Sequence, residues 1–87
     1  MDELAKLREE IDEIDRQLVA LFESRMNAVV KIGQYKRKNK LPVLNSSREQ
    51  EVLIKSLNYL KDKTFEKPLE EFFRELMRIS KEIQDEV

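Results

Sequence analysis

Residues 2–40 read DELAKLREEIDEIDRQLVALFESRMNAVVKIGQYKRKNK, and this stretch decides the fold. Its apolar residues recur at alternating spacings of three and four, which is the period of a helix packed in a bundle or coiled coil. We call these apolar positions the seam: Leu4, Leu7, Ile11, Ile14, Leu18, Leu21, Ala28, Ile32 and Tyr35. The pattern predicts one long helix over residues 3–39, which ends because Leu41 precedes a proline and is disfavoured in helical conformation.

Two basic residues interrupt or flank the seam. The seam position after Leu21 is Arg25, and Lys36 follows Tyr35. Arg25 and Lys36 are about three helical turns apart, so they point the same way with roughly 16 Å between them along the axis. A guanidinium cannot stay unpaired in a dry interior, so it needs a protein carboxylate, an anionic ligand or a route to water. The pattern alone leaves these alternatives open.

The length of this helix predicts a second chain. A helix of 37 residues extends for roughly 55 Å, whereas a compact domain of this size is roughly 30 Å across. The seam nevertheless continues along almost the whole helix. The remainder of the chain is too short to cover it, and the simplest partner is a second copy of the chain.

The remaining residues predict two shorter helices. Residues 40–46 form a loop. A second helix follows, with Ser46 or Ser47 as its N-cap and Glu49 or Gln50 completing a capping box, and it runs to about residue 61. A third helix starts at residues 65–67 and ends near residue 85. The fold class is therefore all-α, with three helices per chain in an intertwined homodimer and one domain over residues 1–87. Gly33, the one glycine of the chain, indicates either close helix packing or space for a ligand.

Composition excludes several classes of function. The formal net charge is −1 with 40% charged residues, which argues against a nucleic-acid-binding domain. The chain has neither Cys nor His, so catalysis by a cysteine nucleophile or a histidine triad is excluded and the usual zinc ligands are missing. Charged residues near the N-terminus argue against a signal peptide, and no apolar run is long enough for a membrane span. We expect a cytoplasmic protein.

Other polar residues have ordinary structural interpretations when each is taken alone. Arg8 lies roughly 100° around the helix from Arg25 and fits an exposed arginine, although it could reach the site of another chain. Arg48 and Glu49 fit the electrostatics of a helix start. Ser80 and Gln84 lie four residues apart on one helix face and fit polar positions at a bundle edge.

The order of these residues is more specific than any one of them. The ordered segments are residues 7–12 (LREEID), Asp15, Leu21, residues 23–25 (ESR), residues 30–36 (VKIGQYK), residues 42–43 (PV) and residues 47–49 (SRE). In this spacing the chain resembles the all-helical class of chorismate mutase over nearly its whole length, and the resemblance is strongest through residues 7–49.

The resemblance implies an intertwined homodimer with two equivalent active sites. Members of this family convert chorismate to prephenate, the branch step toward phenylalanine and tyrosine, by a unimolecular Claisen rearrangement. The reaction needs no cofactor, metal, nucleophile, acid or base, which agrees with a chain that lacks His and Cys. Chorismate is a dianion, and arginine forks are suited to its two carboxylates.

The resemblance also implies roles for individual residues. Arg25 binds one substrate carboxylate and Arg8 of the other subunit binds the second. Lys36 and Gln84 donate to the ether oxygen as it gains negative charge, which makes Arg25, Lys36 and Gln84 the catalytic group.

Four further substrate contacts follow from the same resemblance. Glu49 accepts from the ring hydroxyl, Arg48 orders the loop and the substrate, and Ser80 contacts a carboxylate. Asn45 stands where bacterial relatives often have Asp, and it contributes near the hydroxyl. The alternatives are an enzyme similar to isochorismate pyruvate lyase, and a non-enzymatic helical dimerisation module in which Arg25 forms a structural ion pair.

Overall fold

The chain forms three helices and a short 3₁₀ helix. A computed structural model describes residues 2–87, with α1 at Glu3–Lys38, α2 at Ser46–Tyr59 and α3 at Glu66–Glu86. The 3₁₀ helix, Lys63–Phe65, leads directly into α3. The all-α prediction with three helices is confirmed, while the homodimer stays a prediction.

The ends of α1 follow from local chemistry. Asp2 caps the N-terminus, and its Oδ1 accepts from the backbone N–H of Ala5 at 2.7 Å. This satisfies one of the amides that a helix start leaves unpaired. At the other end, Lys40 has a φ of 55°, a left-handed conformation that stops the helix. The helix therefore ends at Lys38, one residue before the predicted position.

The start and end of α2 differ from the prediction. Asn45, rather than Ser46 or Ser47, is the N-cap, and its Oδ1 accepts from the backbone N–H of Arg48 at 3.1 Å. Both serines are already helical, so the predicted capping box is wrong. The helix ends at Tyr59, before the predicted residue 61, because Leu60 takes an extended conformation.

The intrachain core lies between α1 and α3. It is built from Met26, Val29 and Leu76, with the partly buried Phe73, Ile79 and Ile83 packed against it. Helix α3 also packs against α2, so it lies between the other two helices. Met26 and Val29 are not seam residues. Helix α1 thus has a second apolar face, which the sequence analysis missed.

The seam itself is uncovered in the single chain. Its large residues are exposed at both ends of α1, with Leu4 at 55% and Tyr35 at 63%. The molecule measures 56 × 25 × 16 Å, which confirms that the long helix extends well beyond the rest of the chain. By helical geometry Arg25 and Lys36 lie on the border between the seam and the face that contacts α3. A large apolar surface of this kind marks an interaction site.

Gly33 sets the approach of α3 to α1. A Cβ at this position would lie 2.5 Å from Cγ2 of Val87 and 3.0 Å from Cα of Gln84. Real Cβ atoms essentially never come as close as 2.5 Å to another atom, and a separation of 3.0 Å from the backbone of Gln84 would require a small shift of α3. Of the two interpretations of Gly33, this contact supports close helix packing.

Within residues 2–87, no helix combines the length and the apolar composition needed to cross a bilayer.

Replacement of Gly33 by alanine tests this packing. Alanine favours the helix by about 1 kcal/mol, but overpacking against a backbone costs about 1–3 kcal/mol, so we expect a lower midpoint of thermal unfolding. The control is Gly33→Ala combined with Val87→Ala, which relieves only the contact with the side chain of Val87. If the double variant is as stable as Val87→Ala alone, the backbone of Gln84 does not limit the helix spacing.

Candidate functional site

The three helices line an open cavity of about 140 Å³ that has charged, polar and apolar walls. Its walls come from the second half of α1, the loop before α2, the start of α2 and the second half of α3. Seven of the eight predicted site residues line it, namely Arg25, Lys36, Asn45, Arg48, Glu49, Ser80 and Gln84. Apolar side chains and one further lysine complete the lining: Val29, Ile32, Val43, Val52, Met77 and Lys81.

Arg25 is held by a neutral partner. Its Nη1 donates to Oγ of Ser80 at 2.6 Å, and Ser80 in turn donates to the backbone carbonyl of Leu76 at 2.7 Å. Among residues 2–87 no carboxylate lies within salt-bridge distance of Arg25. The intrachain ion pair that would explain Arg25 as a structural residue is therefore not observed.

The electrostatics of Arg25 favour an anion. Burial, and then the positive charge of Arg48, hold the pKa of Arg25 below its ordinary value. A guanidinium remains protonated even so, because its pKa is far above neutral pH. Arg25 therefore keeps a positive charge that the surrounding residues disfavour, and a bound anion would relieve both effects.

Arg48 and Asn45 are fixed at the start of α2. The guanidinium of Arg48 pairs with Glu51 in the same helix, and its backbone N–H donates to Asn45. Lys55 and Arg48 together hold the pKa of Glu51 below its usual value. The contacts of Arg48 therefore lie within α2 and with its cap. Arg48 is predicted to order the loop. The contact that could do so is the one from its backbone N–H to Asn45, because its guanidinium pairs with Glu51.

Lys36 connects α1 to the loop. Its Nζ donates to the backbone carbonyl of Val43 at 2.8 Å. An ammonium group has three donor hydrogens, so two remain available after this contact. Lys36 thus holds the segment that leads into Asn45 and α2 while its charge stays beside the cavity.

Gln84 contributes a carboxamide on α3 with an unused polar atom. Its Oε1 is buried and has no hydrogen-bond partner among residues 2–87. An unsatisfied buried polar atom costs about 1–3 kcal/mol, so its presence needs a reason. Gln84 is one helical turn from Ser80 and packs its backbone against Gly33. The backbone of Gln84 is therefore fixed by helix packing, while the oxygen of its carboxamide lacks a hydrogen-bond partner among residues 2–87.

Glu49 pairs with a residue that the sequence analysis missed. Its Oε2 lies 2.9 Å from Nζ of Lys81, and this ion pair joins α2 to α3. Lys81 lies three residues before Gln84 on α3, and that spacing could have identified it as part of the same face.

Arg8 lies outside the cavity. It precedes Arg25 by 17 residues on the same helix, which corresponds to roughly 25 Å along the axis. One chain therefore does not bring Arg8 together with the other seven residues. A role for Arg8 at this cavity requires a second chain.

An apolar groove adjoins the cavity on the seam side. It has a volume of about 430 Å³ and shares Arg25 with the cavity. The other lining residues are Leu18, Val19, Leu21, Phe22, Phe72, Phe73 and Leu76. Phe72, an apolar residue of α3, is 48% exposed here. Arg25 thus lies where the cavity meets an uncovered apolar surface.

The cavity suits a compact anion. Arg25, Lys36, Arg48 and Lys81 bring positive charge to it, and Glu49 is the carboxylate in its lining. Residues 2–87 contain no group of three or more acidic residues arranged to hold a metal ion. The fold and the site define a small all-helical protein with a cationic pocket beside the exposed apolar seam of α1.

The chain belongs to the chorismate mutase type II family, whose model matches residues 7–85. The match confirms the resemblance found in the sequence. One relative is the bifunctional chorismate mutase/prephenate dehydratase of Aquifex aeolicus, 39% identical over 62 residues that cover 71% of this chain and 17% of the relative. Another is the T-protein of Haemophilus influenzae, 41% identical over 49 residues, which cover 56% of this chain and 13% of the relative.

These relatives are much longer than the chain. The matches span less than a fifth of the length of either curated relative. No solved structure gives a significant match.

Proposed function

We propose that the chain is a chorismate mutase that converts chorismate to prephenate for the synthesis of phenylalanine and tyrosine. Family membership supports this proposal. The observation that carries it is the state of Arg25, a partly buried guanidinium whose protein partner is the neutral hydroxyl of Ser80. An unneutralised arginine in a cavity of this size is suited to a carboxylate of a small substrate.

The reaction makes modest chemical demands on the protein. The substrate rearranges within one molecule: the C–O bond of its ether breaks, a C–C bond forms, and no proton or electron is exchanged with the protein. Catalysis therefore consists of holding a compact substrate conformation and stabilising the charge that develops on the ether oxygen. Both tasks can be performed by fixed cations and amides.

The predicted site residues on α1 and α3 have specific roles in this mechanism. Arg25 binds one carboxylate of the substrate, with Ser80 beside it. Lys36 uses its remaining donor hydrogens, and Gln84 its amide group, to stabilise the ether oxygen in the transition state. These contacts are stronger in the transition state than in the ground state, because the oxygen carries more charge there.

The start of α2 binds the other side of the substrate. Glu49 accepts from the ring hydroxyl, and Arg48 contributes positive charge beside it. Asn45 acts near the hydroxyl chiefly through the position of α2, because its own oxygen already caps that helix. An asparagine cap at this position is compatible with activity, since the cap itself is intact.

The active unit in this proposal is a homodimer of single-domain chains. The seam of α1 is uncovered, and the apolar groove beside Arg25 can receive an apolar helix of a partner. An antiparallel second α1 would bring its Arg8 toward the cavity and supply the second arginine for a dianion. The cytoplasmic location stays a prediction.

Turnover of chorismate by the purified protein tests the proposed function. We expect loss of chorismate absorbance with prephenate as product, and Lys36→Ala should lower kcat by about 10²–10³-fold, as removal of an oxyanion donor does. Arg25→Ala should abolish measurable turnover with unchanged helicity. The exposed Lys61→Ala is the matched control.

Three results would argue against this function. A folded wild-type protein without turnover indicates a dimerisation module. Release of pyruvate from isochorismate indicates a lyase. Unfolding of Arg25→Ala returns Arg25 to a structural role.

Mixed dimers test the contribution of Arg8. Homodimers of Arg8→Ala and of Arg25→Ala should both be nearly inactive, because each site lacks one arginine. A heterodimer of the two chains has one intact site, so a statistical mixture should recover about a quarter of wild-type activity. The measurement is activity after the variants are refolded together, and no recovery in verified heterodimers would refute the shared site.

The pH profile tests the donor role of Gln84. A carboxamide does not titrate and Arg25 stays charged, so kcat of the wild type should be nearly flat between about pH 5 and 8. Gln84→Glu should lose activity as pH rises, because only the protonated carboxyl can donate to the ether oxygen. A wild-type profile that falls through this range like that of a carboxylic acid would contradict the assignment.

A further inference from the structure

The ion pair between Lys81 and Glu49 differs from the other ion pairs of residues 2–87. The others join residues three or four apart on one helix, whereas this pair joins α2 to α3. Its side chains are also less exposed, at 36% for Lys81 and 29% for Glu49. Both residues line the cavity. Its position suggests a role beyond the few tenths of a kcal/mol that exposed pairs contribute.

Glu49 shares the lining of the cavity with two arginines. Arg25 has Ser80 as its partner and no carboxylate among residues 2–87, and Arg48 directly precedes Glu49 in the chain. If Glu49 paired with Arg25, it would neutralise the charge that the substrate carboxylate needs. The short contact with Lys81 instead directs Glu49 toward α3. One carboxylate oxygen is bound by Lys81, and the other remains able to accept a hydrogen bond.

We propose that Lys81 is a positioning residue, which pairs with Glu49 across the α2–α3 interface, keeps it from neutralising Arg25, and presents its free oxygen to the substrate hydroxyl. This inference rests on the proposed function. Lys81 acts through Glu49 and makes no contact of its own with the substrate. The Glu49 carboxylate can then accept from the substrate hydroxyl while the arginines bind the substrate carboxylates.

A double-mutant cycle on kcat/KM tests the proposal. Lys81→Gln and Glu49→Gln should each lower kcat/KM by about tenfold, the effect of a lost hydrogen bond to a charged group. The double variant should lose no more activity than Glu49→Gln alone, because Lys81 acts only through Glu49. Lys81→Arg should retain most of the activity, since a guanidinium can hold the same carboxylate.

The matched control is Arg74→Gln. It removes one positive charge from α3 and breaks the exposed pair with Glu70. We expect its kcat/KM to equal that of the wild type, so an effect of Lys81→Gln is not a general effect of charge.

The outcomes separate this inference from the proposed function. An inactive wild type refutes the proposed function, and this inference falls with it. If the wild type is active, multiplying losses in the double variant would show that Lys81 acts on the substrate directly. A lower unfolding temperature of Lys81→Gln with unchanged kcat and KM would show a merely structural pair. Either of these results overturns the inference alone.

Discussion

The structure depends on a mismatch between the length of α1 and the amount of chain available to cover it. One helix extends for most of the 56 Å length of the molecule, while α3 packs on it around Met26 and Val29 and α2 packs on α3. The buried core of the chain is correspondingly small, with Met26, Val29, Leu76 and Met77 as its buried apolar residues. Most of the apolar surface of α1 is therefore uncovered in the single chain.

The two apolar faces of α1 differ in what covers them. The face of Met26, Val29 and Gly33 packs on α3, and the neighbouring seam stays open. Arg25 and Lys36 lie between them, so each is anchored by the fold of its own chain and also borders the open surface. This placement explains how a site can be nearly assembled in one chain and still require Arg8 from another in the proposed dimer.

Much of this architecture could be predicted from the sequence. The periodicity of residues 4–35 predicts α1, and an order of residues with that specificity identifies the family. The positions on α3 that line the cavity were also recognisable, because Ser80 and Gln84 share a helical face. Such features depend on spacing along one helix, which a sequence displays directly.

The errors concern contacts between elements or choices among similar residues. Asn45 caps α2 although two serines follow it, because the chain turns into the helix at Asn45. The intrachain face of α1 was missed because its residues fall between the stronger apolar positions of the seam. The spacing of Lys81 from Gln84 could have placed it on the cavity face, but its pairing with Glu49 joins two helices, and a single sequence carries no signal for such a contact.

The contact between Lys36 and Val43 places two demands on a single side chain. The ammonium group supports the loop that leads into α2, and in the proposed mechanism it also serves the reacting oxygen. Another amine of shorter reach would fail at one task or the other, and an arginine would bring a planar fork where a point charge is used. A residue substituted at position 36 must therefore meet both requirements. A change at Lys36 would therefore affect both the loop before α2 and the proposed reaction.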